Sequence, residues 1–282
     1  MAIKITKASG RQEDFDAQKL ISSLIRSGAP PDIAANIAAQ VERQTAQYAR
    51  TEDIYRRARN LLRKFSRASG MRYSIKKAIF ALGPSGYPFE KYFGKVISHY
   101  GYKVETNRMI RGYCVAHEVD VLAGNDDGYT YIECKYHSAG GKATDIKTAL
   151  YVHARFQDIR KSSMQEAGRE LPYADGWLVT NTRCTADALQ YAECTGLRII
   201  SWKYPEKDSL ERMIEDKRLY PVTILHSLKK GMLEPLLRAD IILAQDIAGM
   251  DLNTFIRASG LDEHAANTLK KEADAVCPCT TP

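Results

Sequence analysis

The chain has 282 residues, of which 44% are hydrophobic and 27% charged, with a formal net charge of +7. That length holds two or three modest domains, and the composition is that of an ordinary soluble protein. No apolar run approaches the ~20 residues that span a bilayer, and the N-terminus lacks a signal-peptide core, so no membrane partner and a cytoplasmic location are expected. The basic excess favours a polyanion, because neutralised phosphates release counterions.

Gly83-Pro84-Ser85-Gly86 and Tyr204-Pro205-Glu206-Lys207 punctuate the chain into blocks 1–85, 86–205 and 206–282. The first block opens extended from Ile3 to Ala8, turns at Ser9-Gly10 and becomes helical. Asp16 caps a helix with a Leu20, Ile21, Leu24, Ile25 stripe that Gly28 ends. Pro30-Pro31 starts a second, Thr51 caps a third, and a fourth carries Ile75, Ile79 and Leu82. The middle block reads as a helix over 87–100, then strands near 102–107, 114–122 and 129–136. A long helix over about 145–162, a strand at Trp177 to Thr180, a helix ended by Gly196 and a last strand from Leu197 follow. The third block is helical, its end forming two short helices around Gly260-Leu261.

The chemistry concentrates in Glu118-Val119-Asp120-Val121 and Tyr131-Ile132-Glu133-Cys134-Lys135, on two strands joined by Asn125-Asp126-Asp127-Gly128. Residues two apart in a strand share a face, so Glu133 and Lys135 point the same way. A turn centred between Asp126 and Asp127 sets Asp120 opposite Glu133, with Cβ atoms ~5 Å apart. Two carboxylates that close need a compensating cation. Asp120 and Glu133 therefore suit Mg²⁺ or Mn²⁺, which keeps waters and takes one or two carboxylates. Lys135 would orient a water or offset charge developing on a phosphate. Glu90, on the entering helix, adds a carboxylate directly or through water. His137 continues the face toward a phosphate or a structural contact. Lys142, Lys147 and Arg155 are candidates for phosphate contacts.

With its helix-strand-strand-strand-helix-strand order, this arrangement resembles the restriction-endonuclease-like fold of the PD-(D/E)xK nucleases. Gly86-Tyr87-Pro88-Phe89-Glu90, Glu-Val-Asp and Glu-Cys-Lys are similar to the Mrr-type branch over about 86–203. The resemblance implies an α/β/α domain with a mixed sheet, catalytic Glu90, Asp120, Glu133 and Lys135, and metal ligands Asp120 and Glu133.

The run Ile5 to Leu20, with Phe15-Asp16-Ala17-Gln18-Lys19-Leu20 at its end, resembles the ATP-cone, a module that binds ATP or dATP allosterically. The resemblance extends to about residue 83, and implies that Lys7, Arg11 and Lys19 meet phosphates, Glu13 fixes the nucleotide and Thr51 lies near the base. No Gly-x-x-x-x-Gly-Lys-[Ser/Thr] is present, so P-loop hydrolysis is not expected.

In the last block, Lys229 to Asp246 and Gly260 to Ala275 resemble helix-hairpin-helix modules, which offer helix N-termini to DNA phosphates. Asp262 and Glu263 disfavour that, and packing or oligomerisation is the alternative. Cys114, Cys134, Cys184 and Cys194 read as buried free thiols. Cys277-Pro278-Cys279 offers half a zinc site or a frayed end. Together these readings give an α/β multidomain chain: a helical ATP-cone with a small β-sheet, the central nuclease domain and a helical C-terminal domain. They imply a nucleotide-regulated, Mg²⁺-dependent DNA endonuclease of a restriction or phage-defence system, in a homo-oligomer. The alternative is a non-cleaving, ATP/dATP-responsive DNA-binding regulator.

Overall fold

A computed structural model describes residues 3–126, 128–166 and 173–278. The protein is mixed α/β, and two compact units emerge: residues 1–79 with 220–282, and residues 80–219. The stretches expected as separate first and third domains thus share one unit.

In the first unit β1 (Lys4–Thr6) pairs antiparallel with β2 (Gln12–Asp14) and parallel with β3 (Ala49–Arg50). Gly10 makes the β1–β2 turn at φ +81°, a left-handed conformation that glycine adopts without a Cβ clash. Helix α1 (Ala17–Arg26) starts where the Asp16 carboxylate accepts the Lys19 N–H at 3.0 Å. Pro31 opens α2 (Pro31–Arg43) as its first residue. Thr51 is the first residue of α3 (Thr51–Phe65) rather than its cap, since Arg50 holds that place without a side-chain bond. Leu20, Leu24, Ile37, Val41, Ile54 and Leu62 close this core. The expected fourth helix is two, α4 (Arg67–Arg72) and α5 (Ile75–Phe80). Gly70 lets α4 approach α3: a Cβ there would meet Arg63 Cα at 2.9 Å.

The second unit is built on a five-stranded sheet. Helix α6 (Tyr87–Ser98) precedes β4 (Lys103–Arg111), β5 (Ala116–Asn125) and β6 (Gly128–Lys135), which run antiparallel. After β7 (Ala143–Thr144), α7 (Ile146–Glu166) leads to β8 (Tyr173–Thr180), parallel to β6. β9 (Arg183–Cys184) pairs with β7. Next, α8 (Ala186–Thr195) is capped by Thr185 and closed by Gly196 at φ +75°, before β10 (Arg198–Ile200) joins β8 in parallel. The order β10-β8-β6-β5-β4 makes the sheet mixed, as expected. Phe89, Tyr92, Phe93, Val96 and Ile97 of α6 are buried, and Gly94 lies against Val104 and Thr106 of β4. Ala149 and Val152 of α7 pack with Leu178, and Ile159 with Val119 and Tyr131. Helix α9 (Leu210–Lys217) ends the unit.

The C-terminal stretch returns to the first unit as α10 (Lys230–Arg238), α11 (Ala244–Gly249), α12 (Leu252–Ser259) and α13 (Glu263–Val276). Gly260, at φ +66°, turns α12 into α13, whose first turn is capped by Asp262 accepting the Ala265 N–H. Arg72 donates to the carbonyls of Ala275 and Val276, closing the C-terminus of α13. Cys277 is buried rather than frayed, whereas Cys279 and the turn residue Asp127 lie outside the described residues. Cys134 and Cys184 are buried as expected, but Cys114 and Cys194 are exposed. Among the described residues no helix is long and apolar enough to cross a membrane.

Candidate active site

The β5–β6 hairpin has the expected register, with Val121 opposite Ile132 and Leu122 opposite Tyr131. Continued by one pair, it would set Asp120 against Glu133, yet the ladder stops at Val121. The Asp120 carboxylate instead accepts the Cys134 backbone N–H at 2.7 Å. On the other side, β4 pairs Thr106 with Val121 and Arg108 with Val119, skipping Asn107 and Asp120. Asn107 stands at φ +54° inside its strand, a region that asparagine tolerates better than most residues. The alternation of β5 slips there. Val121 pairs with Ile132, yet Val119, two residues away, packs with Tyr131 and Ile159 from the opposite face. A strand irregularity of this kind re-aims a side chain, and here it frees Asp120 from both ladders.

Around Asp120 the expected acids gather. Glu90, half-buried in the first turn of α6, accepts from Asn107 Nδ2 at 3.2 Å. Burial, then the Asp120 charge, hold its carboxyl above the usual range. Asp120 is also raised by burial, against the bond from Cys134 and the charges of Arg155 and Lys135. Glu133 is raised furthest, to about 7, first by burial and then by Asp120, with Arg155 pulling the other way. Arg155 reaches from α7 to Glu133 Oε2 at 2.5 Å and to the Glu118 carbonyl. It is thus committed to the acids instead of waiting for a phosphate. Lys135 is exposed at the end of β6.

Two asparagines and an aspartate carry no local signal of their place here. Asn107 is distinguished only by its kink. Asn181, fully buried, clamps the chain at His137: its Oδ1 accepts the His137 N–H at 2.9 Å and its Nδ2 donates to the His137 carbonyl at 2.8 Å. The His137 ring meets Thr144 Oγ1 at 3.0 Å, so the structural role suggested for His137 is the one its contacts describe. Asp158 of α7 anchors the β4–β5 hairpin, accepting from Cys114 N–H at 2.8 Å and meeting His117 Nε2 at 2.8 Å. Gly112 permits this, since a Cβ there would collide with Asp158 Oδ2. That glycine was the only available signal.

Among the described residues no three His, Cys, Asp or Glu side chains stand together as a ready metal cage. Two carboxylates with waters are enough for Mg²⁺. Asp120 and Glu133 fit that need: both are half-buried acids whose carboxyls are raised above the usual range, and Arg155 engages only Oε2 of Glu133.

The residues expected at a nucleotide are partly joined. Lys7 Nζ pairs with Glu13 at 2.6 Å and Lys19 Nζ with Asp16 at 3.4 Å. Glu13 and Lys19 border one open cleft of about 480 Å³ lined by residues 13–19. Arg11 lies on the β1–β2 turn, its carbonyl accepting from Lys7 N–H, and Thr51 begins α3. Neither lines that cleft.

The fold and site together define a mixed α/β protein with a cluster of half-buried acids where its central hairpin opens. An uncharacterized protein of Archaeoglobus fulgidus is 34% identical over 182 residues, spanning 64% of this chain and 98% of the relative. A solved structure, described as that of a protein of unknown function, AF1548, shares 32% identity with a TM-score of 0.59, over 68% of this chain and 98% of that one. A family model described as AF1548-like, C-terminal, matches residues 220–277. The chain belongs to the AF1548-like family.

Proposed function

We propose that this protein is a metal-dependent DNA endonuclease whose site is Glu90, Asp120, Glu133 and Lys135, carried by a restriction-endonuclease-like central domain. The observation that carries the reading is Glu133, a half-buried carboxyl held up to about 7 beside a second half-buried acid, Asp120, with Arg155 and Lys135 as the nearby cations. Acids crowded and desolvated this way cluster at functional sites. Asp120 and Glu133 would hold Mg²⁺ or Mn²⁺, which supplies Lewis acidity and an acidified water. Asp120 is oriented for this by the Cys134 N–H, and Glu133 by Arg155. Glu90, kept above the usual carboxyl range, is suited to take up a proton or return it. Lys135 offsets charge developing on the phosphate.

The N-terminal part of the chain is proposed to bind ATP or dATP and shift the population of cutting-competent states. Support comes from the three-stranded sheet, the Lys7–Glu13 pair and the cleft beside Lys19. A bound triphosphate would have to replace Asp16 on Lys19.

Plasmid cleavage with Mg²⁺ or Mn²⁺ tests the nuclease reading. Asp120→Asn keeps an acceptor for the Cys134 N–H, and with Lys135→Ala should lose at least about 10²-fold in rate. Equal residual cutting by the wild type and both variants would mean a contaminant, and the reading falls. Calorimetry with ATP and dATP on wild type and Lys7→Ala/Lys19→Ala tests the nucleotide site, and absence of wild-type heat removes it.

A further inference from the structure

The net positive charge of this chain is concentrated in one stretch. Between Arg50 and Lys77 there are ten lysines and arginines against two acids, Glu52 and Asp53, a local balance of +8. The whole chain carries +7, so everything outside this stretch amounts to −1. The stretch is α3, α4 and the start of α5, and its hydrophobic residues Ile54, Ala58 and Leu62 face the core of the first unit. Most of the cations are consequently exposed.

Some have structural work. Arg56 pairs with Asp53 at 2.6 Å, Arg57 reaches the Gln44 carbonyl, and Arg72 closes α13. Arg63, Lys64 and Arg67 do not: all three are exposed, and none has an ion pair or hydrogen bond among the described residues. They flank the α3–α4 junction together with Phe65, an aromatic ring that is 50% exposed. The junction is rigid, since Ser66 caps α4 through the Ser69 N–H at 3.2 Å and Gly70 packs on the Arg63 backbone. Three unengaged cations held on a fixed scaffold form a surface for a polyanion.

We propose that the α3–α4 junction, through Arg63, Lys64 and Arg67, docks the phosphate backbone of duplex DNA. The choice of DNA rests on the nuclease reading above. The site of phosphodiester chemistry is itself rich in acids, so attraction to a phosphate chain must come from elsewhere, and this patch holds the excess charge.

Fluorescence anisotropy of a labelled 30-base-pair duplex in EDTA, over a series of NaCl concentrations, isolates binding from cutting. Each phosphate that is no longer neutralised should lower the slope of log affinity against log salt by ~0.9. Arg63→Ala/Lys64→Ala/Arg67→Ala should therefore flatten the slope by about 2 to 3 and weaken binding at least tenfold at the lowest salt, with the melting temperature unchanged. An unchanged slope and affinity would overturn the proposal, as would a wild type that ignores duplex DNA while binding anionic vesicles. A wild type that binds with the expected slope but never cuts would remove the nuclease reading and leave this surface standing. Normal cutting with a salt response indifferent to the triple substitution would do the reverse.

Discussion

Glu133→Gln should make the metal-free protein more stable at pH 8 while removing its activity. The ordinary value for this carboxyl is 4.5, and burial beside Asp120 holds it up to about 7. A folded-state pKa above the unfolded one means that folding favours the protonated acid. Its stabilisation is complete below the unfolded value and is lost as pH rises through about 7. At ~1.4 kcal/mol per pH unit, the shift corresponds to roughly 3 kcal/mol lost by pH 8. Glutamine has nearly the shape of the protonated acid and cannot ionise. The variant should therefore exceed the wild type by about 3 kcal/mol at pH 8, and by under about 1 kcal/mol at pH 5. Urea denaturation in EDTA can be followed by tryptophan fluorescence, because Trp177 and Trp202 are both buried in the unit that carries Glu133. A variant less stable than wild type at pH 8, or a gap of equal size at both pH values, would refute the reasoning. Gain of stability with loss of cutting is the trade expected where acids are crowded for function.

Two further outcomes follow from the same geometry. A divalent ion binds the ionised carboxylate, so below about 7 the half-saturating Mg²⁺ concentration for cleavage should rise by up to about tenfold per pH unit; a metal titration independent of pH between 6 and 8 would contradict this. Asn107→Gly keeps a residue suited to φ +54° and loses only the bond to Glu90, whereas Asn107→Ala loses both. The alanine variant should be less stable than the glycine variant by about 1 kcal/mol, and equal midpoints in thermal melts would mean that the kink carries no strain.

Local patterns in the chain were enough for most elements of the sheet and for the β5–β6 register. Strand alternation and a tight turn depend on neighbours along the chain, so Asp120 and Glu133 could be placed on adjoining strands in advance. The Asp16 cap and the glycines closing α8 and α12 were legible for the same reason. Long-range packing decided the rest. Nothing in Thr106-Asn107-Arg108 announces a left-handed residue, because the kink exists only when β5 lies beside it and Glu90 stands within reach of the amide. Arg155 reads as one more helix cation until α7 lies on the sheet and brings it to Glu133. The union of residues 1–79 with 220–282 was equally hidden, since contacts between the two ends of a chain leave no mark in either end alone. Periodicity and turn chemistry act over a few residues, whereas burial, charge crowding and ion pairing arise only after distant segments meet.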